Sequence, residues 1–198
     1  TNLSYIWMLQ GTNRLHNTMM YPKLAMGYMF NDHSFMRLSG ERSYSTPDLS
    51  NISNVEQIID SLQIRRGNPN LKVSHTWMTN LYYEWRKGVF GISANLFYMY
   101  QNHPVMEETL LENNKFIRTT MNQDSWQKVN PEVQLQIGPL FNILSLSATG
   151  GVNYFDSHGI DYHHYYTNWY YQLDATAQYK RVTLYMQVNN HKNDFYGE

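Results

Sequence analysis

The chain has no cysteine among its 198 residues, so neither disulfides nor thiolate metal centres hold it together. That lack suits an oxidising cell envelope, although cytosolic proteins share it. Charge is also scarce. Charged residues make up 16% of the chain, against roughly a quarter in ordinary soluble domains. The net charge of −1 and the scattered Lys and Arg form no basic stripe, so no nucleic-acid partner is expected. Long hydrophobic runs are missing as well. The longest, such as Tyr5-Ile6-Trp7-Met8-Leu9, are far short of the ~20 residues that a membrane helix needs. No nucleophile elbow, phosphate loop, zinc-ligand pair or dinucleotide fingerprint occurs, so neither an enzyme nor a cofactor is expected.

What the chain does have is aromatic rings in regular alternation. It carries 17 Tyr, 8 Phe and 5 Trp, yet its mean hydropathy is −0.58. Apolar and small polar residues in strict alternation produce this combination, because any window averages them out. Phe90, Ile92, Ala94, Leu96, Tyr98 and Tyr100 oppose Gly91, Ser93, Asn95, Phe97, Met99 and Gln101. Trp77, Leu81, Tyr83 and Trp85 oppose Thr76, Asn80, Glu84 and Arg86, and Trp169 to Tyr179 behaves in the same way. A period of two means strands with one apolar and one mostly polar face.

This pattern predicts about nine strands, at 3–10, 21–31, 34–44, 71–86, 88–102, 126–138, 141–155, 165–179 and 181–190. Several exceed the five or six residues usual in soluble sheets and match the ~9–11 of a tilted membrane-crossing strand. Trp77 and Trp85 share a face eight residues apart, roughly 20 Å along the membrane normal at ~3.3 Å per residue and a tilt of ~40°. That approaches the ~25 Å apolar band flanked by aromatic girdles, for which Trp77, Trp85, Tyr98, Tyr100 and Trp169 are candidates. Short links near 31–33, 86–88, 138–139 and 180–181 alternate with long ones at 44–70, 102–125 and 155–165. Tight inner turns and long outer loops have this rhythm in outer-membrane barrels. The fold class is therefore all-β, an antiparallel up-and-down meander forming part of a transmembrane barrel. The long loop 44–70 is expected to hold a short helix, since Ile52, Val55, Ile58, Ile59 and Leu62 recur at helical spacing.

Residues Arg65-Arg66-Gly67-Asn68-Pro69-Asn70-Leu71-Lys72, followed by a long strand and its partner, resemble an element of TonB-dependent outer-membrane receptors of Bacteroidetes type. Tyr21-Pro22-Lys23-Leu24 and Arg42 to Leu49 resemble the strand pair that precedes it. The sequence departs from the family pattern at Val73-Ser74. In this element Gly67 is expected to supply positive φ, Pro69 to stiffen the loop, and Leu71 to begin the strand, with Asn68 and Lys72 completing it. The resemblance implies residues 1–198 to be a partial barrel domain, with the plug and the remaining strands elsewhere. It further implies uptake of a nutrient such as a siderophore or glycan fragment, with outer-membrane lipid, TonB and a surface lipoprotein as partners. An isolated open wall is expected to self-associate.

Asn80, Glu84, Ser93, Asn95, Gln134, Gln136, Gln172 and Asp174 are the candidates for the lumen face. His158, His163 and His164, with Asp156 nearby, invite a metal reading, but their spacing fits no familiar site and no metal is expected. Glu107, Glu108, Glu112 and Asp161 read as solvated loop charge. Two rival readings remain. One is a small closed structural or adhesive outer-membrane barrel. The other is a soluble lipocalin-like barrel, in which the apolar faces of Trp77, Leu81, Ile92 and Leu96 would pack inward.

Overall fold

A computed structural model describes residues 2–10 and 13–190. β1 (Asn2–Gln10) and β2 (Asn13–Tyr21) form a two-stranded sheet, and Pro22 separates β2 from β3 (Lys23–Asn31) and β4 (Ser34–Ser45). A helical turn α1 (Leu49–Ile52) and the short strands β5 (Glu56–Ile58) and β6 (Gln63–Arg66) precede β7 (Ser74–Lys87) and β8 (Phe90–Asn102). A hairpin of β9 (Val105–Glu112) and β10 (Lys115–Asn122) leads into β11 (Ser125–Leu140), β12 (Leu144–His158), β13 (His163–Tyr179) and β14 (Val182–Asn189).

Eight of these strands build one wall in the order β3-β4-β7-β8-β11-β12-β13-β14, antiparallel throughout. Its register lines up whole rows of like residues. Trp85, Ile92, Leu135, Ala148, Leu173 and Val188 are successive partners from β7 to β14. One residue over, Glu84, Ser93, Gln134, Thr149, Gln172 and Asn189 are also successive partners. Because strand side chains alternate, the first row lies on one face and the second on the other.

In a one-layer wall the faces differ in burial only if the sheet curls, since side chains converge on the concave side. The polar face is the concave one. Trp126, Lys128, Asn130, Asn153, Phe155 and Tyr170 are buried on it, whereas Trp77 and Leu96 on the apolar face are 46% and 43% exposed. The apolar set therefore faces outward and does not fill a dry core, which is the reverse of a lipocalin. β3 and β14 stand at opposite ends of the strand order, so these eight strands do not close on themselves.

Eight of the nine expected strands appear with ends shifted by a few residues. Residues 3–10, expected as a ninth wall strand, instead fall in the β1–β2 hairpin. The helical spacing from Ile52 to Leu62 does not make a helix of that span. Only Leu49–Ile52 is helical; 56–58 is strand, and Val55, Ile58, Ile59 and Leu62 are exposed. β-branched residues favour strand, and Ile58 pairs with Ile64 across a turn in which the Asp60 carboxylate accepts from the Leu62 and Gln63 amides. The turn expected at Gly138-Pro139 lies later, at 141–143, where Phe141 and Asn142 take positive φ. The third long connection shrinks to residues 159–162, because β12 continues to His158 and β13 begins at His163. The other two outer connections are long, but they are not featureless. β5, β6, β10 and β9 form their own four-stranded sheet, with β6 and β10 parallel.

Pro131 sits within the wall between β8 and β12, where it lacks an amide to donate. The Asn130 side-chain amide donates instead to the Val152 carbonyl at 2.9 Å, bridging the gap between the pairs Val129–Tyr154 and Glu132–Gly151. The wall thus keeps its register through a central proline.

Candidate functional site

The loop sheet and the concave face together form the part of the molecule able to meet a solute. Gly67 begins the element singled out in the sequence, but not for the expected reason. Its φ is not positive; rather, a Cβ there would come within 2.3 Å of the Ser53 carbonyl and 2.7 Å of the Asn51 carbonyl. The backbone of the α1 loop lies directly on it, and the Asn68 amide donates to Asn51 O at 2.6 Å. Asn68 also caps its own turn, accepting from the Asn70 amide at 2.9 Å, and donates to Thr120 O at 3.1 Å. Pro69 lies within that turn. Leu71 does not begin the strand, since β7 starts at Ser74; instead it is buried beneath the loop sheet with Val73, Ile52, Ile64 and Ile117. The Lys72 amide donates to Asn122 Oδ1 at 2.6 Å, and Asn122 Nδ2 donates to His103 O at 2.9 Å. Arg66 reaches both oxygens of Glu112, at 3.0 and 3.2 Å, and Glu56 at 3.5 Å. Arg118 pairs with Glu107.

Below the loops the concave face is dense with amides and carboxylates. Asn80, Glu84, Ser93, Asn95, Gln134, Gln136, Gln172 and Asp174 all lie on this face by register. Asp174 accepts from Tyr185 Oη at 2.7 Å, Gln187 Nε2 at 3.0 Å and Ser147 Oγ at 3.2 Å. Glu132 accepts from Tyr170 Oη at 2.5 Å, and Tyr170 in turn accepts from Asn130 Nδ2 at 3.2 Å. Gly151 makes room for this tyrosine, because a Cβ there would lie 2.5 Å from its ring. Three amides are less well served. Asn80 Oδ1, Asn95 Oδ1 and both polar atoms of Asn153 are buried with no hydrogen-bond partner among the described residues. A buried amide without a partner is costly; the members of this face able to meet another polar surface or water are the part-exposed Glu84, Gln134, Gln136, Gln172 and Asp174.

Trp77, Trp85, Tyr98, Tyr100 and Trp169 all lie on the opposite, convex face. Trp77 precedes the end of β7 at Lys87 by the same ten residues that separate Trp169 from the end of β13 at Tyr179. Trp77, its partner Tyr100 and Trp169 therefore sit at the loop end, and Trp85 sits near the tight turns. The Arg42 guanidinium stacks over the rings of Tyr44 and Trp77 at 4.8 and 4.6 Å. His75, on the loop side of Trp77, lies 3.2 Å from Arg42, and burial together with that cation pushes its pKa below the usual histidine value.

Of the acidic loop residues, Glu107 and Glu112 are salt-bridged to arginines, and Glu108 accepts from Gln123 at 2.6 Å. The histidines separate by face. His158 and His163 are register partners on the convex side with Asp156, while His164 points the other way and stacks on Tyr162. Sequence spacing hides this grouping, which depends on where the β12–β13 turn falls.

A family model described as the outer membrane protein beta-barrel family matches residues 8–193. No curated protein matches the chain in sequence. Among solved structures it is similar to the siderophore receptor PirA from Pseudomonas aeruginosa, at 14% identity and TM-score 0.58 over 90% of this chain and 40% of that one. It is also similar to the ferric enterobactin receptor PfeA, at 12% identity and TM-score 0.54 over 88% and 35% of the respective chains. A third is the siderophore receptor PirA from Acinetobacter baumannii, at 10% identity and TM-score 0.52 over 88% and 34%. At such identities the likeness is one of fold. The chain spans well under half the length of each of these structures.

Proposed function

Because this chain belongs to the outer membrane protein β-barrel family and thus to the outer membrane, we propose that it forms part of the wall and outer loops of a TonB-dependent receptor. The receptor imports a scarce nutrient, and an iron–siderophore complex is the favoured cargo. The carrying observation is the two-faced wall: an exposed apolar convex side, and a concave side lined by the part-exposed polar groups Glu84, Gln134, Gln172 and Asp174. A plug filling the lumen, or the cargo passing it, meets those groups. Three receptors of matching fold carry siderophore or ferric enterobactin in their names, which favours iron over glycan cargo. The motif around Gly67 supports the same family from the sequence side.

In this reading, energy coupling through TonB, and docking of any surface lipoprotein, are carried by other parts of the receptor. The loop sheet shapes the outer vestibule, and the residues described here position and pass a solute without transforming it. The test is growth of an iron-starved host carrying the full gene product, supplied with single ferric siderophores, with and without TonB. TonB-dependent rescue by a ferric siderophore is the expected result. No rescue by any ferric siderophore, with growth on a glycan as sole carbon source in a parallel culture, would redirect the substrate class, and uptake unaffected by TonB loss would overturn the receptor reading.

A further inference from the structure

We propose that Asp156, His158 and His163 form a divalent transition-metal site on the convex side of the outer rim, distinct from the solute path. Asp156 Oδ1 lies 2.7 Å from His163 Nε2 and 3.2 Å from His158 Nε2, and the two imidazole rings stack at 4.0 Å. Among the described residues this is the one group of three such side chains whose ligand atoms all converge within 4.8 Å.

The backbone builds the convergence. Asp156 and His158 are two apart on β12, and so share a face, and His163 is the registered partner of His158 on β13. A four-residue turn closed by the Gly159 amide on Tyr162 O, at 2.9 Å, fixes the distance between them. The carboxylate is also oriented from behind. Gln127 Nε2 donates to Asp156 Oδ2 at 2.8 Å, and Tyr98 Oη donates to Gln127 Oε1 at 3.2 Å. Such outer hydrogen bonds are what hold a ligand's lone pair on a metal.

The chemistry of the donors selects the ion. Two neutral imidazoles and one carboxylate suit Zn²⁺, Ni²⁺ or Cu²⁺ and leave Ca²⁺ and Mg²⁺, which want oxygen, poorly served. With metal–ligand bonds of about 2.0–2.1 Å, tetrahedral ligands stand roughly 3.3 Å apart; the Asp156–His158 contact of 3.2 Å already matches that spacing, and the Asp156–His163 contact of 2.7 Å must open to reach it. Asp156 is buried at 8% exposure while both histidines are partly exposed, which leaves the outward coordination positions to water. A bound ion would clamp the β12–β13 tip.

The experiment uses the full gene product folded in detergent, titrated with Zn²⁺ against a chromophoric chelator and with Co²⁺ by visible absorption. Saturable binding of one ion is expected, together with X-ray absorption of the zinc-loaded protein showing two nitrogens and an oxygen near 2.0 Å. His158→Ala and His163→Ala should each weaken binding by at least tenfold. Gln127→Ala, which touches no metal, should weaken it about 10- to 100-fold. His164→Ala, on the other face, should leave it unchanged. Heat-modifiability on gels reports that each variant is folded, and the absorption spectrum of unmodified protein needs no variant. Unsaturable binding, a spectrum without two nitrogen ligands, or equal loss in the His164 variant would overturn the proposal. Nutrient uptake is not a readout, so this test and that of the receptor reading fail separately.

Discussion

Replacing Leu96 by arginine places a charge in the middle of β8 on the convex face, at a residue 43% exposed and registered with Leu81 and Pro131. If that face meets hydrocarbon, the charge at the bilayer midplane costs about 2–4 kcal/mol. The folded-to-unfolded ratio then falls by about 30- to 700-fold, at about 1.4 kcal/mol per factor of ten. Asn95 is the neighbour on the same strand but faces the other way, opposite Tyr82 and Glu132. Arginine at 95 lies on the half-buried polar face opposite the Glu132 carboxylate, so its cost should fall well short of that at 96. The assay is urea unfolding of the full gene product in short-chain lipid vesicles, followed by tryptophan fluorescence, with heat-modifiability as a check in cells. Comparing the pair removes general effects of adding an arginine to this strand. An Asn95→Arg variant damaged as severely as Leu96→Arg would refute the assignment of faces.

Four further outcomes follow from particular contacts. Gly151→Ala pushes a methyl group into Tyr170 and should cost about 1–3 kcal/mol in the same unfolding assay, as overpacking does; an unchanged midpoint would contradict the tight fit. Gly67→Ala meets backbone, not a yielding side chain, so limited proteolysis should cut loop 46–73 faster while the wall midpoint stays put; unchanged cleavage would show that the α1 loop does not rest on Gly67. The folded-state pKa of His75 is depressed, so its contribution to stability is present above its unfolded value of about 6.5 and is lost as pH falls through the folded value; histidine NMR showing titration at or above 6.5 would contradict the placement of Arg42. Residues 1–198 alone should self-associate in detergent-free buffer through the free edges at β3 and β14; a well-behaved monomer on gel filtration would count against that.

The wall was legible in the sequence because period two needs no tertiary knowledge, and a strand such as 88–102 declares both faces by itself. The loops were not. Ile52, Val55, Ile58, Ile59 and Leu62 have helical spacing, but β5 exists because β6 pairs with it and β6 is in turn held by β10, about fifty residues later. Gly67 was noticed for its identity, yet its cause lies in the approach of the Asn51 and Ser53 carbonyls, which local sequence does not encode. The partnership of His158 with His163 was likewise out of reach, since it depends on the turn closing at 159–162 and not four residues earlier. Pro131 by itself argues against a central strand, and the amide that compensates for it belongs to its own neighbour Asn130.

The parallel pairing of β6 with β10 makes two separate outer loops into a single inherited unit. A chimera that exchanged residues 46–73 alone would leave β10 without its own β6 and Asn122 without the Lys72 backbone it grips. Grafts between barrels of this family must therefore carry both segments together. For the same reason an antibody raised against this crown would recognise its folded shape and miss either peptide in isolation, so a bacterium under immune pressure would have to vary the two segments in concert.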